Sequence, residues 1–293
     1  MKKIAILGPA GSNGHKAASK MVALNEYEIT WAKSNAGVME MVQAGKADVG
    51  VVPIWNNTEG FVKKVLGYWM DQETEYSKRE LYPVAEMSIP ISHCLLARTG
   101  TSPNSLTEVH SHPQAIGQCR TFLESFRKPA GQCHTFHESL KAPLVEKAAL
   151  TTSGAAEMVA KSSNRGLSCI ASEFAASIYG LEVIKSKIED NGGNETTFHL
   201  LAKEPKECGD KKLKTAIVFW VKNRPGGLMS PLSIITAAGK NMSTLWTIPL
   251  AKKKQVAFYV EFEGDVEQDR NVLALLNEIT EKLIILGSFP EMS

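Results

Sequence analysis

The first 200 of the 293 residues alternate short apolar runs, several rich in β-branched side chains, with longer amphipathic segments, and this alternation limits the fold more than any other feature. Short apolar runs without polar alternation read as strands covered on both faces, and the amphipathic stretches between them as the covering helices. The pattern predicts an α/β domain on largely parallel strands. Lys3 to Leu7 reads as a strand, Gly8 to Gly14 as a turn, His15 to Leu24 as a helix, Ala47 to Ile54 as a strand and Gly60 to Met70 as a helix. Met87 to Ala97 and Thr107 to His110 read as strands and Gln114 to Phe126 as a helix. Ala155 to Lys161 follows as a helix, Leu167 to Ala171 as a strand and Glu173 to Tyr179 as a helix.

Residues 204–213 are polar, charged and broken by Pro205 and Gly209, which marks a linker between residues 1–203 and residues 214–293. The last segment reads as strand Thr215 to Val221, helix Met229 to Ala238, strands Ser243 to Leu250 and Val256 to Glu263, helix Asn271 to Lys282 and a final strand. That order, βαββαβ, belongs to a ferredoxin-like module. Lys252, Lys253 and Lys254 fall between two of its strands and read as a solvated turn.

A formal net charge of +2 argues against nucleic acid as a partner. No apolar run reaches the ~18 residues of a membrane span, and Ile4 to Leu7 is too short for a signal-peptide core, so a cytoplasmic protein is expected. Cys94, Cys119, Cys133, Cys169 and Cys208 are odd in number and scattered, as in reduced core thiols. His110/His112 and His134/His137 lack a third ligand at metal spacing; they read as surface or capping histidines, and no metal is expected.

Chemistry is sought at the strand-to-helix junctions, Gly8 to His15, Trp55 to Gly60, Ser111 to Gln114 and Thr151 to Gly154. Helix N-termini offer unpaired N–H groups and the positive end of the dipole, so several of them around one cleft would hold a small carboxylate. Each taken alone is also explained by capping, Ser111 with Gln114 as a capping box and Thr58 and Thr152 as caps. The spacing Gly8-x-x-Gly11-x-x-Gly14 is neither a dinucleotide fingerprint nor a P-loop, so no nucleotide and no cofactor is expected. No G-x-S-x-G elbow supports a serine nucleophile.

Taken together, the motifs resemble those of the prephenate dehydratase family. Gly8-Pro-x-Gly11, Val52-Pro-Ile-x-Asn-x-Thr-Glu-Gly60, Ile89-Pro-Ile-x-His-Cys-Leu-Leu96 and Ser111-His-Pro-Gln-Ala-x-x-Gln-Cys119 occur in the family's order. Ser172-Glu-x-Ala-Ala176, Tyr179-Gly-Leu-Glu-Val183 and Ile188-Glu-Asp-x-x-x-Asn-x-Thr-x-Phe198 follow, and Leu286-Gly-Ser-Phe-Pro290 resembles the end of the family's ACT regulatory domain. The resemblance implies a two-lobed, periplasmic-binding-protein-like catalytic domain with a cleft, followed by a ferredoxin-like ACT domain. It implies conversion of prephenate to phenylpyruvate, water and carbon dioxide, within phenylalanine biosynthesis. Thr196 would hydrogen-bond the leaving hydroxide, with Asn56, Ser111 and Gln118 orienting the substrate and Gly11, Ser12, Thr58, His112, Thr152 and Phe198 lining it. Gly226, Gly227, Leu228 and Met229 would form the turn that meets an amino-acid effector, and the chain would assemble as a homodimer or homotetramer.

The chain departs from the family pattern at named positions. Thr-Arg-Phe appears as Thr196-Thr197-Phe198, which removes a bidentate carboxylate clamp and leaves His15 or His199 as substitutes for its charge. Glu-Asn-Ser appears as Trp55-Asn56-Asn57, and Glu-Ser-Arg-Pro of the ACT domain as Trp246-Thr-Ile-Pro249. Two further readings therefore stand beside the dehydratase: a prephenate decarboxylase or dehydratase of a related substrate, and a non-catalytic sensor of small anions or amino acids.

Overall fold

A computed structural model describes residues 1–70, 81–125, 144–205, 212–250 and 255–292. The first lobe begins with β1 (Lys2–Leu7), α1 (Asn13–Met21), β2 (Tyr27–Ala32), α2 (Asn35–Gln43) and β3 (Val49–Asn56). It continues with β4 (Gly60–Phe61), α3 (Lys63–Met70) and β5 (Tyr82–Pro90). The second lobe holds β6 (Cys94–Arg98), β7 (Glu108–Ser111), α4 (Pro113–Gln118), α5 (Arg120–Ser125) and β8 (Val145–Ala148). It closes with α6 (Thr152–Lys161), β9 (Leu167–Ala171), α7 (Glu173–Tyr179) and β10 (Leu181–Lys185), after which β11 (Glu195–Ala202) returns to the first lobe. The C-terminal module comprises β12 (Leu213–Trp220), α8 (Met229–Ala237), β13 (Met242–Leu250), β14 (Gln255–Glu263), α9 (Arg270–Ile279) and β15 (Lys282–Met292).

The expected class holds, α/β with two lobes and a βαββαβ module, but the strands are mixed instead of largely parallel. β1 runs parallel to β2 and β3, and β7 parallel to β8 and β9. β11 is antiparallel to both β3 and β5, and β6 to both β9 and β10. The apolar stretch Met87 to Ala97 is two strands in different sheets, because the chain leaves the first lobe at residues 91–93. The return crossing lies against it: Ile91 N–H donates to Asn194 O at 2.8 Å and Ile188 N–H to His93 O at 3.0 Å. Gln114 to Phe126 divides at Cys119 into α4 and α5. β2 and α2 escaped the sequence reading; β2 is an edge strand, half-exposed along most of its length, so its residues carry no long apolar run.

Among the described residues the C-terminal strands lie in the order β13-β14-β12-β15, as expected for a ferredoxin-like module. They do not form a separate sheet. β15 pairs with β5 through Glu291 opposite Glu86 and Met292 opposite Met87, so one ten-stranded sheet runs from β13 to β2. One apolar core also spans both parts, with Val52, Ile54 and Leu201 of the first lobe packed with Val218, Tyr259 and Phe289 of the module. Six of the ten expected linker residues, 206–211, lie outside the described residues, as do Cys133, His134, His137, Cys208 and the three-lysine turn. Cys94, Cys119 and Cys169 are free and buried, and burial pushes the Cys119 thiol up to about 12. No described helix is long and apolar enough to cross a membrane.

Candidate active site

Parallel pairing of β7, β8 and β9 places their carboxyl ends, and hence the N-termini of α4, α6 and α7, along one edge of the second lobe. In the first lobe Asn56 ends β3 and faces Thr196 at the start of β11, on the edge where β1 delivers the turn into α1. The two edges meet across the crossings, the position at which open α/β sheets commonly bind ligands.

The centre of the first-lobe edge is Asn56. Its Nδ2 donates to Thr196 Oγ1 at 2.9 Å and lies 2.8 Å from Asn194 Oδ1, while its Oδ1 accepts from Thr58 N–H and Glu59 N–H at 3.0 and 2.9 Å. An amide that both caps the following turn and donates to the threonine fixes the hydroxyl in place. Because Thr196 accepts from Asn56, its own proton remains available to a second acceptor. Thr196 is 9% exposed, so a bond made there competes little with bulk water.

Gln118, Thr58 and Asn194 line a cavity of about 180 Å³ with His93, Glu189 and Asp190. His93 Nε2 meets Gln118 Oε1 at 2.9 Å, which orients the amide. Both carboxylates are engaged: Glu189 accepts from Ser92 Oγ and His93 N–H, and Asp190 from the N–H groups of Arg120 and Thr121 at the start of α5. His93 was not singled out from sequence as a site residue. Its signal was only its place in Ile89-Pro-Ile-x-His-Cys, and nothing local tells that the strand breaks there to bring the ring into the cleft.

The turn before α1 also reaches across the cleft. Ser12 caps α1 by accepting from His15 N–H at 3.2 Å, and Gly11 N–H donates to His15 Nδ1 at 3.1 Å. Gly11 has φ +75°, and a Cβ there would stand 3.1 Å from the Ala175 backbone of α7. Tyr179 Oη donates to Ala10 O at 2.8 Å, a further tie between the lobes. Burial lowers the His15 pKa, and its ring supports this turn.

Three expectations change. Ser111 is fully buried and its hydroxyl donates to Ile170 O at 2.6 Å; the side chain that caps α4 is His112, accepting from Gln114 N–H, so the capping-box assignment is replaced. Gln114 Nε2 instead reaches Glu59 Oε1 at 2.7 Å, between the lobes. The cap of α6 is Thr151, not Thr152, with Thr151 Oγ1 accepting from Gly154 N–H at 2.9 Å. Phe198 is 2% exposed in the core beside Ile4, Val51 and Ile89, so it packs the sheet and does not line the cleft.

Positions 197 and 199 also correct the sequence reading. Side chains alternate along β11, so Thr197 and His199 point away from the face that carries Thr196 and Phe198. Thr197 pairs with Ser88 Oγ at 2.9 Å, and His199, fully buried, meets Glu86 at 3.1 Å. Position 197 is therefore no cleft clamp in this chain, and His199 cannot supply a cleft charge. Lys16 lies nearer the cleft: its Nζ reaches Pro90 O at 3.4 Å from α1.

Residues 4–206 match the family model for prephenate dehydratase. The chain is 31% identical to arogenate dehydratase/prephenate dehydratase 2 of Arabidopsis thaliana, covering 98% of this chain and 72% of that protein. It is also 31% identical to the bifunctional chorismate mutase/prephenate dehydratase of Aquifex aeolicus, over 99% of this chain and 74% of the other. A structure described as a novel type of quorum-quenching acylase superposes with a TM-score of 0.79 at 25% identity, over 99% of this chain and 98% of that one. The prephenate dehydratase of Arthrobacter aurescens in complex with L-Phe shares the fold, at a TM-score of 0.78 and 24% identity over 98% and 89% of the two chains. With the cleft, its Asn56–Thr196 pair and a family match over two thirds of its length, the chain belongs to the prephenate dehydratase family.

Proposed function

We propose that the chain converts prephenate to phenylpyruvate, water and carbon dioxide. The observation that carries this reading is the Thr196 hydroxyl, which accepts from Asn56 Nδ2 at 2.9 Å and donates to no described residue. In the elimination the ring-to-carboxylate bond breaks, its electron pair aromatises the ring, and the C4 hydroxyl departs with the pair of its C–O bond and takes up a proton. Aromatisation drives the step, so the protein needs to hold the substrate and stabilise charge on the departing oxygen with neutral donors. Thr196 is that donor, and Gln118, held by His93, orients the substrate. Ser111 supports the site from behind through Ile170 O, and Gly11, Ser12, Thr58, His112 and Thr152 shape its edges.

Relatives named for arogenate raise the question of which acid is used, since arogenate carries an ammonium where prephenate carries a keto group. The two carboxylates lining the small cavity, Glu189 and Asp190, already accept hydrogen bonds on both oxygens. Each oxygen keeps a second lone pair, so the choice between keto acid and amine is read by assaying both substrates. In the C-terminal module the same reading assigns an amino-acid effector to the turn Gly226 to Met229, where Gly226 has φ +74° and Met229 is exposed. It also assigns assembly as a homodimer or homotetramer through that module. Sedimentation velocity with and without phenylalanine reads both assignments.

The deciding experiment follows prephenate and arogenate in parallel by proton NMR beside an enzyme-free control. Phenylpyruvate from prephenate, reduced ~10²-fold or more in Thr196→Ala, is the expected result. Turnover of arogenate alone would transfer the activity to that substrate, a non-aromatic product would mean decarboxylation, and binding without turnover would leave a sensor.

A further inference from the structure

On the face of the sheet turned away from Thr196 lies a larger cavity, of about 440 Å³, between the first lobe and the C-terminal module. Its size is that of small-ligand clefts. Trp55 and Thr197, cross-strand partners on β3 and β11, line it from the lobe; Trp246, Lys214 and Glu261 line it from the module. The indoles of Trp55 and Trp246 lie 3.9 Å apart between centroids, with Phe61 about the same distance from each at 5.5 and 5.4 Å.

Its charges do not balance. Three carboxylates, Glu86, Glu261 and Glu291, face one ammonium among the described lining residues, that of Lys214. Lys214 Nζ is 2.8 Å from both Glu86 and Glu291, and the other Glu86 oxygen meets His199 Nε2. Glu261, 4% exposed, accepts from Tyr259 Oη at 2.5 Å and Thr244 Oγ1 at 3.0 Å and pairs with no described cation. A buried carboxylate surrounded by neutral donors, with a second carboxylate close by, is costly unless a positive charge arrives. The Nδ1 of fully buried His199 has no hydrogen-bond partner among the described residues.

One ring nitrogen of His199 and one oxygen each of Glu86 and Glu261 lie within 4.8 Å of one another, a grouping that could hold a metal ion. The Lys214 ammonium, 2.8 Å from Glu86, argues against that occupant, since it would repel a divalent ion at contact distance. Indole faces and a carboxylate in need of a donor instead suit an organic ammonium, held by cation–π attraction and charge-assisted hydrogen bonds.

We infer that this junction is a ligand site for a small molecule carrying a protonated amine on an apolar or aromatic body, with the ammonium beside Glu261 and the body against Trp55 and Trp246. The site is independent of the dehydratase reading, because binding is its readout and the cavity lies on the other face of the sheet. Calorimetry and ¹⁵N spectra of the indole groups test it, with 2-phenylethylammonium as the probe and 3-phenylpropionate as its anionic counterpart. The expected result is saturable binding of the amine that shifts the Trp55 and Trp246 indole signals and leaves the other three tryptophans unmoved. Glu261→Gln and Trp246→Ala, each checked for native circular dichroism, should weaken it by about tenfold or more. No saturable heat up to ~10 mM amine, weaker than ordinary small-ligand affinities, would overturn the inference. So would equal binding of the anion, full affinity in Glu261→Gln, or a zinc titration that shifts the same indole signals while the amine does not.

Discussion

At the scale of single residues, the proposed chemistry depends on one hydrogen bond and its direction. Asn56 Nδ2 gives a proton to Thr196 Oγ1, so Thr196 is left to donate elsewhere. Asn56→Asp reverses that relation, because a carboxylate at the same 2.9 Å accepts the threonine proton and withdraws it from the leaving group. Turnover of Asn56→Asp is expected to fall by ~10- to 10²-fold with a smaller change in KM, the pattern of a group that acts in the transition state. A steady-state comparison with wild type checks this, and a variant that changes KM alone would make Asn56 a binding residue only. Asn56 and Thr196 were legible in the sequence as motif positions. Phe198, two residues on and on the same face of β11, packs into the core with Ile4, Val51 and Ile89, because that face runs from the cleft edge under the first lobe.

At the scale of elements, β5 and β11 join cleft and module. Glu86 on β5 is buried between His199 of β11 and Lys214 of β12. Burial alone would raise its carboxyl pKa, but the bonds from His199 and Lys214 outweigh burial and hold it down to about 2. A carboxyl whose folded pKa lies below its unfolded value stabilises the fold in full above the unfolded value, and that contribution is lost as pH falls towards the folded one. Glu261 has the opposite sign: burial and the neighbouring Glu86 push it up, so its ionisation costs stability as pH rises. Urea midpoints of wild type and Glu86→Gln, measured from pH 7 downward, should differ most near neutrality and converge between ~4.5 and ~2. A constant gap over that range would mean that the charge of Glu86 is not what holds the junction.

At the scale of the whole molecule, the module is joined to the first lobe by both sheet and core. β15 extends the lobe's sheet through Glu291 and Met292, and Tyr259 and Phe289, both fully buried, lie in the core that also holds Ile54 and Leu201. A core shared in this way does not melt in halves, and each large apolar side chain buried in it contributes ~1.5–3 kcal/mol that both parts lose together. Urea unfolding followed by far-ultraviolet circular dichroism and by tryptophan fluorescence should therefore give coincident single transitions for the two parts. Separate transitions would show that the module folds on its own.

By itself the sequence determined the class of fold and the order of most elements, and its resemblance to the family put forward Asn56, Gln118 and Thr196 as site residues. These rest on local periodicity and short motifs, which a chain carries whatever its partners in space. Only the tertiary structure decided where residue 91 leaves one sheet for the other, that Ser111 turns inward to Ile170, and that His93 orients Gln118. It likewise decided that Trp55 and Thr197 face the module and not the cleft. The reason is physical: strand partners, the sheet face a side chain meets and the neutralisation of a buried charge are contacts between residues distant in the chain, from 25 residues apart for His93 with Gln118 to 140 for Asn56 with Thr196. No local pattern encodes them.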